Sequence, residues 1–493
     1  MAFDLHSYSR QAEQFSSALD REYHLHFSGQ KPDYEIEPLY ERHAALFAPE
    51  AIDLLREAAG GGGSERARRA THLLEFAVDG YLGRACAAEE AAIAQREAGL
   101  EVEVEWESIP YRMVRVVQAN EPDPERRAQL EAARLGLLSE HLNPLHLEAL
   151  RRSHALIREL GWASYADAYA DLLGIDLRDL ASQARRLVEA TDPVYEAIMD
   201  PELERVLDQR LAATRRSDVA RFFRAPGLDE GFPPERLIGA FAQTMAGIGL
   251  DLRSQSNIVL DAEQRPTKTP RAYCAPVRVP DEVYLVVPRV GGREDYAALF
   301  HEGGHAEHYG NTDATLPPEF RYLGDGSVSE SYAFLIEHLI EDRHWLRDVL
   351  ALQDPDAVAA HARAVKLLFL RRYAAKIAYE LELHGPDAGL GAMPDRYAEL
   401  LGGATGIDWP PASWLEDVDP GFYVAAYLRA WAMETRWRAS LRERFGERWF
   451  ASPAAGDWLV ALWRQGKRLG ADELLAETLG EELDFAVLTA EFV

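Results

Sequence analysis

The chain has 493 residues, 47% of them hydrophobic, enough for two or three ordinary domains or one large helical body with a substantial core. A formal net charge of −29 argues against nucleic acid or an anionic membrane surface as the main partner, and suits a soluble protein acting on neutral or cationic molecules. With only Cys86 and Cys274, a disulfide scaffold and an all-thiolate zinc site are both excluded. Met1 to His6 lack a basic stretch followed by an apolar one, so no secretory signal is expected. No run of about 18 or more uncharged apolar residues occurs, so no membrane span is expected either. The expected location is cytoplasmic.

Helical periodicity dominates. Residues 10–58 and 65–98 space their apolar positions among Ala, Leu, Glu and Arg, with Gly60 to Gly63 and Ser64 as a flexible joint. Val102, Val104 and Trp106 alternate with Glu101, Glu103 and Glu105, the pattern of a half-buried strand; its expected hairpin partner lies within residues 109–117. Residues 120–127 form a loop. Residues 126–215 return to helix, with breaks expected near Gly161 and at Asp192-Pro193, followed by a Pro/Gly-rich break over residues 225–234. The expected division is an N-terminal helical region, 1–190, carrying the short hairpin near 101–117, and a catalytic region, 191–493. Residues 255–292 change character. Residues 283–287 (V-Y-L-V-V) predict a buried strand, residues 272–275 (A-Y-C-A) a shorter one, and Gly291-Gly292 ends this β section. Helix resumes at Glu294 and, after Ser327, runs to the C-terminus.

His301, Glu302 and His305 spell H-E-G-G-H within that helix. Spacing of four places both imidazoles on one face, one turn apart, where they can hold one zinc ion; Glu302 beside them can take a proton from a water on the metal. A catalytic zinc takes a third protein ligand. The extended pattern, with a third His six residues on, fails because position 311 is Asn311. A carboxylate on the helix expected at residues 327–343 is the other common arrangement, and Glu330 is the candidate. Ser327-Val328-Ser329-Glu330 also fits a capping box, in which Glu330 serves only its own helix end. Glu337, two turns later, either orients a histidine or is a surface carboxylate. His308, one turn beyond His305, is a rival ligand, and Glu307 points away from the metal face toward solvent. Gly303 and Gly304, each costing about 1 kcal/mol in a helix, require a close approach by a packed helix or by substrate backbone.

With Glu330 and Glu337 behind A-L-F-H-E-G-G-H at 298–305, the chain resembles the thimet oligopeptidase and oligoendopeptidase F family of zinc peptidases. Residues 271–276 (R-A-Y-C-A-P) are similar to the strand that family places beside its zinc, and residues 421–427 (G-F-Y-V-A-A-Y) to its tyrosine segment. The resemblance covers about residues 190–493, most clearly 271–435. It implies a predominantly α-helical fold, two lobes around a deep central substrate channel, and a small β-sheet beside the zinc site. It implies His301, His305 and Glu330 as ligands to one Zn²⁺ per chain and Glu302 as general base. Tyr427 and Tyr423 would donate to the oxyanion, a task a phenol can perform; as residues four apart on a helix they also fit ordinary core aromatics. Ala272, Tyr273 and Cys274 would pair with an extended peptide by edge addition.

The chain departs from the family in three places. Residues 413–420 (S-W-L-E-D-V-D-P) lack the histidine usual before the tyrosine segment. Position 425 is Ala425, where tyrosines often accumulate. Ser331-Tyr332-Ala333 replaces the Pro-Ser-Gln that commonly follows the third ligand. The resulting expectation is zinc-dependent hydrolysis of peptide bonds in oligopeptides, with no nucleic-acid or membrane partner and no indication of oligomeric state. Two alternatives stand beside it. One is a metallocarboxypeptidase on a related helical fold, which Ser329 opposes because that group places a histidine before the third-ligand glutamate. The other is a catalytically weak, zinc-containing peptide-binding protein.

Overall fold

The computed structural model describes residues 3–288, 290–386 and 388–493. In chain order, the elements used below are α1 (Leu5–Phe27), α2 (Glu65–Ala85), β1 (Glu101–Val104), β2 (Glu107–Pro110), α3 (Leu177–Leu207), α4 (Leu237–Gly247), β3 (Ile258–Asp261), β4 (Tyr273–Arg278), β5 (Glu282–Val286), α5 (Arg293–Asn311), α6 (Gly326–Glu337) and α7 (Tyr423–Phe445). The fold is predominantly helical with a small sheet, as the periodicity predicts. No helix among the described residues is long and apolar enough to cross a membrane.

Two compact units form, each from separated stretches of chain. The first comprises Met1–Tyr81, Leu228–Ala359 and Arg429–Val487; the second comprises Leu82–Gly227, Ala360–Leu428 and Leu488–Val493. In the first unit, β3, β5 and β4 form a three-stranded sheet in that order, with β3 parallel and β4 antiparallel to the central β5. The sequence reading missed β3, whose four residues are too few to show a period. One face of β4 carries Tyr273, Ala275 and Val277, which pack with Tyr23 and Phe27 of α1. The Tyr273 hydroxyl donates to the His24 carbonyl at 3.2 Å, and Arg21 forms a two-pronged pair with Glu282 at 2.9 and 2.7 Å.

Gly291 and Gly292 end the β section at φ of +89° and +86°, a region that favours glycine. Asp295 accepts the Val290 and Gly291 N–H groups at 2.9 and 2.7 Å, fixing the entry into α5. Tyr296, Leu299, Phe300, Gly303 and Gly304 make the buried stripe of α5, the 3.6-residue period of a core-facing helix. Phe300 lies edge to face with Phe241 of α4 at 5.3 Å and with Trp345 at 5.1 Å. The close approach required at the two glycines comes from packed helices. A Cβ on Gly303 would stand 2.3 Å from the Phe241 ring, and one on Gly304 would stand 2.6 Å from the Ala333 Cα in α6.

In the second unit, three sequence expectations change. The hairpin partner of β1 is β2, and residues 111–120 continue as a short 3-10 turn and a helix. Trp106 is not on the buried strand face: Glu105 adopts φ +57°, the chain turns there, and Trp106 at the tip is 83% exposed. Helix α3 runs unbroken through Pro193 and Pro201. Its stripe of Leu187, Thr191, Tyr195, Met199 and Leu203 is buried. Arg371 donates to the Val188 carbonyl and the Thr191 hydroxyl at 2.9 and 2.8 Å in the turn ahead of Pro193. Tertiary packing outweighs the local cost of about 3 kcal/mol for an interior proline.

Candidate metal centre

Helix α5 turns its buried stripe to the core and presents His301, Glu302 and His305, all half-buried, on another face. Helix α6 packs along it. Its N-cap is Asp325, which accepts the Ser327 N–H at 2.9 Å and is itself tied to Arg429 at 2.8 Å and to the Ala471 N–H at 2.9 Å. Ser327 therefore lies inside the helix, and Glu330 is not the partner in a capping box. Its carboxylate instead meets the histidines.

The His301 Nε2 lies 3.3 Å and the His305 Nε2 3.7 Å from the Glu330 Oε2. One donor atom from each of the three lies within 4.8 Å of the others. A tetrahedral site with ligand bonds of about 2.1 Å needs donor atoms about 3.4 Å apart, and the two histidine–carboxylate separations match that spacing. Both remaining ring nitrogens are engaged. His301 Nδ1 lies 2.9 Å from Glu337 Oε2, and His305 Nδ1 lies 2.8 Å from the Ser329 hydroxyl. An Nδ1–H given to a carboxylate leaves the Nε2 lone pair for a metal, and Glu337 is placed to accept that proton when a metal is bound. The donor set thus fits zinc.

Burial opposes a charge on His301, but Glu330 and Glu337 outweigh it and hold its pKa well above the usual histidine value. Burial takes His305 the other way, down to about 4. Two carboxylates crowded onto one imidazole in a desolvated spot are the environment that a divalent cation relieves.

Glu302 stands beside the trio. Its Oε2 accepts the Cys274 backbone N–H at 2.8 Å, which ties it to the edge of the sheet. Burial pushes the Glu302 carboxyl up to about 7, with His301 and the Cys274 N–H drawing it back. A carboxylate poised there suits a base working near neutral pH. Strand β4 is an edge strand, and the Cys274 N–H on its outer side is already taken by Glu302. Ala272 precedes the strand, and the Tyr273 side chain is buried against α1.

His308 is fully buried and shares Ser329 with His305, at 3.1 Å; it is not one of the three residues that could hold a metal. Glu307 is not solvated. It is 1% exposed and accepts from Gln255 at 2.7 Å and Asn311 at 3.0 Å, and burial pushes its carboxyl up to about 7. The helical wheel places it off the metal face correctly, but Gln255, on a distant loop, covers it. Ser329, which joins His305 and His308, was missed; its place one residue before Glu330 was the available signal. Tyr423 and Tyr427 lie in the second unit, one turn apart near the start of α7, with rings edge to face at 5.0 Å; Tyr427 also meets Tyr373 at 5.7 Å.

No family sequence model matches the chain, and no curated protein sequence matches it. Solved structures do. A protein assigned as an oligoendopeptidase F from Bacillus anthracis str. Ames is similar over 96% of this chain and 86% of its own, with a TM-score of 0.65 and 15% identity. PZ peptidase A, solved with an inhibitor, is similar over 97% of this chain and 89% of its own, with a TM-score of 0.67 and 14% identity. The chain therefore has the fold of these peptidases across nearly its whole length.

Proposed function

We propose that the chain is a zinc metallopeptidase of the thimet oligopeptidase and oligoendopeptidase F type, a divergent member that hydrolyses peptide bonds in oligopeptides. The observation that carries this reading is the convergence of His301 Nε2, His305 Nε2 and Glu330 Oε2 with Glu302 alongside. The shared fold with two peptidases supports the substrate class. Zinc held by the trio would supply the positive charge that polarises a peptide carbonyl and acidifies a water.

The protein's own residues do the rest. Glu302, anchored by the Cys274 N–H, accepts the proton of the attacking water and later passes it to the leaving amine. Glu337 and Ser329 hold the two imidazoles in the orientation that offers Nε2. The resemblance assigns Tyr427 and Tyr423 the role of oxyanion donor, and the segment 272–274 that of a guide for extended peptide. The proposed location is cytoplasmic.

The test is turnover of a fluorescence-quenched peptide library by the zinc-loaded chain. Chelator-sensitive internal cleavage supports the reading. C-terminal trimming in sequence supports the carboxypeptidase alternative. Stoichiometric zinc with no cleavage supports the peptide-binding alternative.

A further inference from the structure

The first unit contains a cavity of about 320 Å³, lined in part by Phe47, Glu75, Phe76, Tyr322 and Lys467. Its volume sits at the small end of ligand pockets and would hold roughly ten waters or one amino-acid-sized molecule. Glu75, Asp79, His72 and Lys467 are the ionisable residues of its lining. Lys467 is 8% exposed, and among the described residues its ammonium has no carboxylate or hydrogen-bonding partner; it lies over the Tyr309 ring at 5.8 Å. Glu75, on α2, likewise has no hydrogen bond or ion pair among the described residues. The two feel each other electrostatically but are not paired.

Leaving an ammonium and a carboxyl without partners in one small space is costly, and proteins almost always pair such groups. Burial raises the Glu75 carboxyl well above its ordinary value, with Asp79 and Asp325 adding to the rise and Lys467 drawing it back. The lining also has an apolar surface. Phe47 and Phe76 pack at 5.3 Å, and Tyr322 is held by the Val279 N–H at 2.9 Å. A carboxyl group, an ammonium and an aromatic wall in one cavity are the complement of a short apolar stem carrying both termini.

We propose that this cavity binds a small zwitterion, a free α-amino acid or a dipeptide, with its ammonium on Glu75, its carboxylate on Lys467 and its stem against Phe47, Phe76 and Tyr322. The site does not depend on the metal reading, since none of these residues belongs to the trio or to Glu302.

Calorimetric titration of the full-length protein tests this, with and without zinc. The probes are L-leucine, glycyl-L-leucine, N-acetyl-L-leucine and L-leucinamide. Saturable binding of one of the first two is expected, and which of them binds tells free amino acid from dipeptide. Each blocked analogue should bind about tenfold or more weakly than L-leucine, having lost one charge-assisted contact. Glu75→Gln and Lys467→Met should each weaken the zwitterion similarly; if either fails to fold, the analogue series on the unaltered protein decides alone. Absence of saturable binding, equal affinity for the blocked analogues, or binding that requires zinc would each overturn the proposal. The zinc-free arm keeps this failure distinct from failure of the peptidase reading.

Discussion

The backbone N–H of Cys274, on the outer edge of β4, donates to the Oε2 of Glu302, on the second residue of the H-E-G-G-H segment, at 2.8 Å. One hydrogen bond thus joins the sheet to the helix that carries His301 and His305. It aims one oxygen of Glu302 at the strand and leaves the other for a proton. It also uses an edge donor that an added peptide strand would otherwise occupy, so a substrate pairing with β4 meets an edge already interrupted at Cys274.

Glu302→Gln keeps the shape and the Cys274 contact but cannot take a proton. Zinc content measured by atomic absorption should be unchanged, while peptide turnover falls by a factor of about 10² to 10⁴. Turnover close to that of the unaltered protein would remove Glu302 from the role of base.

Glu330→Gln separates ligand from cap. Asp325 already caps α6, so helix content by circular dichroism should hold in the zinc-free protein. Zinc binding should fall sharply, because a neutral amide is a poor replacement for a carboxylate ligand. Retention of stoichiometric zinc under competition from a chelator would exclude Glu330 from the ligand set.

Glu337→Gln acts through His301. Its loss removes the charged acceptor 2.9 Å from Nδ1, and zinc affinity should drop about 10- to 100-fold with the trio intact. Competition with a chromogenic chelator measures this, and an unchanged affinity would mean the contact is incidental.

Gly304→Ala should destabilise the protein by about 1–3 kcal/mol, because the new methyl meets the Ala333 backbone, which cannot step aside. Gly303→Ala meets the ring of Phe241, a side chain with room to rotate, and should cost less. Urea denaturation of the two variants gives the order directly; the reverse order would contradict the helix contact.

Glu282 gives a pH signature. Its hydrogen bonds to Arg21, opposed by burial, draw its carboxyl from an ordinary 4.5 down to about 2. The folded value lies below the unfolded one, so the pair's contribution is complete above about pH 4.5 and fades as pH falls through about 2. Arg21 is 45% exposed, so the effect is modest and salt-sensitive. The gap in urea midpoint between the unaltered protein and Glu282→Gln should be widest near pH 7 and narrower near pH 3, at about 0.1 M salt. A gap independent of pH would mean the glutamine disturbs packing instead.

Much of the site is legible in the sequence because it follows helical repeat geometry. His301 and His305 share a face by their spacing, and Glu330 and Glu337 share one on the neighbouring helix for the same reason. What failed had no such period. Strand β3 is only four residues long, Trp106 sits beyond a residue in a left-handed conformation, and Pro193 is absorbed because the buried stripe of α3 outweighs a local preference.

The sequence by itself determined the candidate metal set: two imidazoles one turn apart, a glutamate between them and a carboxylate on the following helix. Only the tertiary structure removed Glu330 from the capping box and set its carboxylate against the two histidines, because a capping box and a ligand look identical until Asp325 is seen at the cap. Only it explained Gly303 and Gly304, whose neighbours come from α4 and α6. Contacts between residues far apart in the chain, such as Gln255 over Glu307 or Cys274 on Glu302, are set by packing, and no local pattern encodes them.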